Sequence, residues 1–318
     1  MNRHCNPKML TFFKLMGRLP LPLLHALGWC LGWLIWLLSS TYRQRWRAHT
    51  AQAQLGRSAR WASVGAAGQQ MAELPRIWFG ASVPLHWDGA EHIEAVLRQR
   101  HGLLLLTPHL GCFELTAQAY AQRFGAQAQP DGSPAQPLTA LYRPPRVAAL
   151  HPVLQAARQR PGMCTAPTDL SGVRQLLRAL KQGQTVGLLP DQVPPAGMGV
   201  WAPFFGRSAY TMTLAARLAQ VPGTEVLLIW GERLPWGRGY VLRVRPWLEL
   251  VGAPLAPEPQ AAAAQINQAM QAVIAHCPAQ YLWGYARYKG PRGAGTSGAQ
   301  SGGGAGGAGA GPGTASSG

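Results

Sequence analysis

One repeated alternation narrows the possible folds more than any other feature of this chain. Five short apolar runs bounded by turn residues read as strands: GLLLLTP (102–108), PLTALYRP (137–144), QTVGLLPD (184–191), TEVLLIWG (224–231) and YVLRVRPWLEL (240–250). Between them lie FELTAQAYAQRFG, VAALHPVLQAARQR, LSGVRQLLRALKQG and TMTLAARLAQ, whose apolar residues recur at helical spacing. Strands alternating with helices predict an α/β fold with a largely parallel central sheet flanked by helices. Residues 258–276 add one more amphipathic helix, and residues 43–100, rich in Ala, Gln and Arg, read as helices on a membrane-proximal side.

Ahead of this pattern stands LPLPLLHALGWCLGWLIWLL (19–38), in which His25 is the only ionisable residue. About 20 apolar residues is the length of a bilayer span. The stretch is too long for the apolar part of a signal peptide, and no small-x-small cleavage site follows it. Basic residues flank it on both sides, Arg3, Lys8, Lys14 and Arg18 before and Arg43, Arg45 and Arg47 after. The positive-inside rule therefore gives no direction, and Pro20 and Pro22 suit a helix that starts late or lies partly in the interface. A membrane anchor is expected, spanning or monotopic. The expected organisation is an anchor over 1–42, an α/β domain over 43–290 and a disordered Gly/Ala/Ser tail over 291–318, which cannot bury a core.

Charge points the same way. Lys and Arg number 29 against 12 acids, a formal +17, so the chain should be drawn to something acidic. Twelve tryptophans favour an anionic lipid surface. No run interleaves basic and aromatic residues as a base-stacking platform would, which argues against nucleic acid. Five scattered cysteines show no CxxC or zinc-type spacing and read as reduced thiols in a cytoplasm-facing compartment, with no metal site.

The chemistry concentrates at LLLLTPHLGCFELT (103–116). Functional groups in an α/β sheet collect where strands end and helices begin. Thr107-Pro108 stops the strand, His109 sits at its carboxyl edge, and Gly111 permits a tight turn into a helix beginning near Phe113 and Glu114. Five positions apart on one regular helix, His109 and Glu114 would face away from each other. With the histidine on the turn before the helix they can meet, and Glu114 would then orient the imidazole and balance its charge. Backbone N–H groups at Gly111, Cys112 and Phe113 are candidates for an oxyanion site. No GxSxG elbow is present, and Cys112 reads as a small core residue, so a histidine base would act directly on a bound hydroxyl. LYRPPR places Tyr142 and Arg143 at a second strand edge, and LLPDQ places Asp191 at a third. In a parallel sheet His109, Arg143 and Asp191 converge. PFFGR (203–207) reads as an apolar loop on a glycine hinge that carries Phe204 and Phe205.

The ordered set HLGCFE, LYRP, LLPDQ…PFFG and QYLWGYARYKGP resembles the bacterial late lipid A acyltransferases of the lauroyl/myristoyl type, members of the lysophospholipid acyltransferase superfamily, over roughly residues 10–290. The resemblance implies transfer of a fatty acyl chain from acyl carrier protein to a hydroxyl of a glycolipid acceptor, a lipid A precursor. It implies a bacterial inner-membrane location, a catalytic domain facing the cytoplasm, and no cofactor or metal. Carried over by motif, His109 is the catalytic histidine and Glu114 its paired acid. Arg143 and Asp191 belong to the substrate-binding set, Arg287 and Lys289 match basic positions of the closing segment, and the transferred acyl chain would lie in a groove near Phe204 and Phe205. Other readings are an acyltransferase for another membrane lipid, a thioesterase using the same base on water, and a non-catalytic lipid-binding protein.

Overall fold

The computed structural model describes residues 7–128, 134–142 and 147–292. Five helices come first: α1 (Pro7–Met16), α2 (Leu21–Leu38), α3 (Ser40–Gln52), α4 (Arg57–Ala72) and α5 (Leu74–Phe79). Helix α2 starts one residue past Pro20 and carries Pro22 in its first turn, where a missing N–H costs nothing. Ser39 separates α2 from α3, and its hydroxyl accepts the N–H of Tyr42, a helix N-cap that fixes the break.

The sheet is built from β1 (Leu85–Asp88), β2 (Gly102–Leu106), β3 (Leu138–Tyr142), β4 (Met163–Pro167), β5 (Thr185–Leu188), β8 (Thr224–Arg233) and β9 (Tyr240–Pro246), in the order β1-β9-β8-β2-β5-β3-β4; β6 (Gly199–Phe204) and β7 (Arg207–Met212) form a separate antiparallel hairpin. Pairing is parallel from β8 through β4; β9 alone runs antiparallel to β8, and β1 follows β9. Around the sheet stand α6 (Ala90–Arg98), α7 (Phe113–Tyr120), α8 (His151–Arg158), α9 (Leu170–Lys181), α10 (Leu214–Ala219), α11 (Trp247–Val251) and α12 (Pro259–His276). The α/β architecture with a largely parallel sheet is the one expected.

Strand β2 shows why. All five of its residues are buried. A central parallel strand covered on both faces needs no polar alternation, hence four leucines in a row. Their side chains alternate sides: Leu104 and Leu106 join the core that holds α9, α12 and Trp230, while Leu103 and Leu105 join Ile93, Tyr120 and Phe124 on the other face. PFFGR is the turn of the β6–β7 hairpin, with Phe204 paired to Arg207. The glycine-rich tail lies, beyond Arg292, outside the described residues.

Candidate active site

Strands β2 and β5 are parallel neighbours in the register Leu106↔Leu188. Three residues past those partners come His109 and Asp191, so the two chain exits deliver them to one point. The ring Nδ1 of His109 stands 2.6 Å from Asp191 Oδ1, and the backbone N–H of His109 donates to Oδ2 at 2.9 Å. A nitrogen facing a carboxylate at that distance carries the proton, which leaves Nε2 as the basic atom; there the side-chain amide of Gln192 donates at 3.0 Å. Asp191 is almost fully buried. Burial alone would raise its pKa, but the charge and hydrogen bonds of His109, with Arg287 nearby, hold it below the ordinary carboxylate value.

In this structure the acid hydrogen-bonded to His109 is Asp191, where Glu114 was expected. Glu114 stands in the first turn of α7, where its oxygens accept from Arg158 Nη2 (2.8 Å) and Trp78 Nε1 (3.3 Å). Arg158, at the end of α8, lies over the ring of Tyr142 at 5.3 Å. Short sequence separation favoured Glu114; strand register, which joins positions 82 residues apart, delivers Asp191 instead.

The loop after His109 is tied down on three sides. Leu282 N–H donates to His109 O (3.2 Å), Gly111 N–H to Gln280 O (3.0 Å), Cys112 N–H to Gly231 O (2.8 Å), and Gln70 of α4 donates to Gly111 O (3.2 Å). Gly111 has φ +54°, and a Cβ there would fall 1.9 Å from Gly231 O. Only glycine fits that left-handed turn at such close approach. These bonds occupy the N–H groups of Gly111 and Cys112, which are thus not free to hold an oxyanion. Phe113 opens α7 with its ring 4.9 Å from the imidazole. Cys112 is buried, and burial pushes its thiol far above the usual value, the opposite of an activated nucleophile.

A cavity of about 520 Å³ opens beside the imidazole, lined by His109, Phe113, Glu114, Tyr142, Arg158 and Gln192 near the ring. Deeper, its wall is apolar: Leu105, Leu138, Leu188 and Ile229 from the strands, Leu154 from α8 and Val173 from α9. Of the other expected site residues, Phe204 packs in the core 4.8 Å from Phe205 and 6.5 Å from Tyr281, and Phe205 packs against Trp283 at 5.6 Å. Neither lines the cavity, so the apolar groove is made by the strands and α7–α9 rather than by PFFG. Arg287 is 2 % exposed and donates to Tyr210 O, Thr211 Oγ1 and Asn267 Oδ1; burial lowers its pKa. It braces the hairpin against α12 rather than facing a substrate. Lys289 sits 5.0 Å over the ring of Tyr285. Arg143 lies outside the described residues. Sequence reasoning passed over Gln192 and Arg158. The first was legible as the residue after Asp191 in LLPDQ; the second has no signal beyond its place at the end of an amphipathic helix. Among the described residues no cluster of His, Cys, Asp and Glu could hold a metal ion.

Residues 59–290 match the family model described as bacterial lipid A biosynthesis acyltransferase. The chain is 27% identical over 227 residues to the lipid A biosynthesis lauroyltransferase of Escherichia coli K12, covering 70% of this chain and 69% of that protein. It is 26% identical over the same length to the palmitoleoyltransferase of lipid A biosynthesis from that organism, covering 70% and 68%. The matched span runs from α4, whose Gln70 holds the loop after His109, to the end of the closing segment that backs it. The chain is an acyltransferase, and it belongs to the bacterial lipid A biosynthesis acyltransferase family.

Proposed function

We propose that this enzyme moves a fatty acyl group from acyl carrier protein onto a hydroxyl of a lipid A precursor, at His109. The observation that carries this reading is a basic Nε2, fixed from behind by a buried carboxylate, at the mouth of an apolar cavity. The acyl chain lies in that cavity, between the strand floor and α8–α9. The acceptor hydroxyl takes the place of the Gln192 amide at Nε2. As its proton passes to Nε2, the oxygen attacks the thioester carbon, and Asp191 balances the imidazolium that forms. The tetrahedral oxyanion forms beside Phe113, at the start of α7, where the helix N-terminus favours negative charge. Collapse breaks the carbon–sulfur bond, and the departing thiolate recovers the proton from Nε2. The ester and the free carrier thiol leave, so atoms and charge balance without a further reactant. Arg143, adjacent in sequence to Tyr142 on the cavity wall, is assigned a phosphate of the acceptor or carrier. The catalytic domain faces the cytoplasm from the inner membrane, and its positive charge draws both anionic lipid and the acidic carrier.

The test uses the detergent-solubilised protein and its His109→Ala variant, each incubated with radiolabelled acyl carrier protein and a tetra-acylated lipid A precursor. Thin-layer chromatography follows the label. Wild type should move it to a larger lipid, with the variant slower by about 10²–10⁴-fold. Label released only as free fatty acid would show a hydrolase, and equal behaviour of the two proteins would remove His109 from the mechanism.

A further inference from the structure

Helix α2 is apolar all round, which is the signature of a helix buried on every side. Its two faces nevertheless meet different surroundings. Leu21, Leu24, His25, Gly28 and Gly32 are buried, and α4 runs antiparallel along them. Gln69 of α4 donates to His25 O (3.3 Å), and Trp61 at the other end of α4 stacks on Trp33 with centroids 6.0 Å apart. The approach is close enough that a Cβ on Gly32 would fall 2.3 Å from Val64 O. On the opposite side Leu23, Leu27, Leu31, Leu34 and Leu38 form one stripe, each 40–77 % exposed.

That pairing fixes the depth of α2. Eighteen residues make about 27 Å of helix, just short of the roughly 30 Å hydrocarbon layer. A spanning α2 would carry α4 into the layer beside it. With α4 would go Gln70, which holds the loop after His109, and the buried pair of Glu73 with Arg233, which ends β8. Charged and hydrogen-bonding groups of this kind are expensive at bilayer depth.

The charges at the two ends disfavour spanning independently. Lys14 and Arg18 precede α2, and Arg43, Arg45 and Arg47 follow it. A span would send one basic cluster across, against the preference of such clusters for the cytoplasmic side. At the far end of α2 a tryptophan cluster, anchored in the core by buried Trp46, carries arginines on its rings. Trp33, Trp36, Trp46 and Trp61 pack together, the Arg43 guanidinium stands 5.6 Å from the Trp36 ring, and Arg60 stands 5.1 Å from that of Trp46. Arg43 also donates to the carbonyls of Trp36 and Leu37 at 2.7 Å, closing the end of the helix. Exposed Phe12 and Leu15 of α1 extend the apolar surface, and α1 packs on α8, whose Leu154 and Arg158 line the cavity.

We infer that α2 is monotopic: its leucine stripe lies in one leaflet, both basic flanks stay on the cytoplasmic side with the catalytic domain, and the partner of this surface is an anionic lipid monolayer. The inference rests on the reading of the chain as a membrane-bound enzyme, and its test reads topology rather than acyl transfer, so the two can fail separately.

The protein is made full length with Cys5, Cys30 and Cys164 replaced by serine, leaving buried Cys112 and Cys277. A single reporter cysteine is then introduced, Lys14→Cys before α2 or Gln44→Cys after it. A membrane-impermeant maleimide is applied to right-side-out and inside-out inner-membrane vesicles. Both positions should label in inside-out vesicles and resist in right-side-out ones. Opposite sidedness of the two positions would establish a span and overturn the inference, as would recovery of the protein in the soluble fraction. Leu27→Glu with Leu31→Glu provides a second measurement. The doubly substituted protein should leave the vesicles on a salt wash and melt in detergent as wild type does. Retention on the membrane after that wash would equally overturn the inference.

Discussion

The charge cluster at the end of α4 offers a quantitative test of what joins the membrane helix to the catalytic sheet. Glu73 is wholly buried. Its carboxylate accepts two bonds from Arg233 (2.6 and 2.7 Å), one from the Tyr240 hydroxyl (2.8 Å) and one from His25 Nε2 (3.1 Å). Burial would raise its pKa, but Arg233 and then His25 outweigh burial and hold it down at about 2, from an ordinary 4.5. At about 1.36 kcal/mol per pH unit, the folded environment favours the carboxylate by about 3 kcal/mol. Glu73→Gln keeps the shape and removes the charge, leaving Arg233 buried without a counter-ion, for which about 3–5 kcal/mol is typical. The two routes agree. With about 2.1 cal/mol/K of unfolding entropy per residue over a folded part of this size, about 3 kcal/mol corresponds to a melting temperature lower by roughly 5 °C. Thermal unfolding of both proteins in detergent at pH 7, followed by tryptophan fluorescence, measures it. The pH dependence follows from the sign. A depressed folded-state pKa contributes fully above the unfolded value and fades as pH falls through the folded one. The gap between wild type and Glu73→Gln should therefore be widest at neutral pH and close between about 4.5 and 2. A gap under about 2 °C at pH 7, or one that does not narrow with acid, would refute the reasoning.

Three further outcomes follow from the site. Asp191→Asn presents an amide N–H to Nδ1, moves the ring proton to Nε2 and should lower kcat by about 10²–10⁴-fold; a larger loss in Glu114→Gln would return the orienting role to Glu114. Gly111→Ala meets both the left-handed backbone, about 1–2 kcal/mol, and the carbonyl of Gly231, so melting temperature and kcat should fall together; an unchanged kcat would mean that the loop does not position His109. Cys112→Ser should keep acyl transfer within a few fold, and native Cys112 should resist iodoacetamide; abolished transfer would make the thiol a participant.

The strand-and-helix alternation was legible because its causes are local. All five apolar runs read as strands contain one, although the WLEL that ends the fifth belongs to α11 and not to β9. Four strands were missed: β4, MCTAP, has two exposed residues at its centre; β1, LHWD, is a short edge strand; and β6 and β7 form a hairpin outside the main sheet, whose turn PFFGR reads as a loop and whose last residues run into TMTLAARLAQ. Convergence of His109 with Asp191 was legible as a consequence of parallel strands. Which acid faces the ring was not, because that depends on register between β2 and β5 and on Arg158 drawing Glu114 aside. Arg287 misled for a related reason. Its sequence neighbourhood shows a basic segment, while its bonds to Tyr210, Thr211 and Asn267 come from chain positions 20 to 77 residues away. Phe204 and Phe205 were read as a groove because an apolar pair beside a glycine looks the same in a hairpin turn as in a binding loop.

The hydrogen bond from Gln70 to Gly111 has a practical consequence for anyone seeking a water-soluble form of this enzyme. Deleting the N-terminal helices would strip α4 of its partner and loosen the carbonyl that keeps the catalytic turn in place. Resurfacing is the sounder route: polar replacements at Leu23, Leu27, Leu31, Leu34 and Leu38 alter only the face turned away from the protein. A resurfaced protein should stay folded without detergent and still acylate a short, water-dispersed acceptor. A truncated one should lose that activity even where its sheet survives.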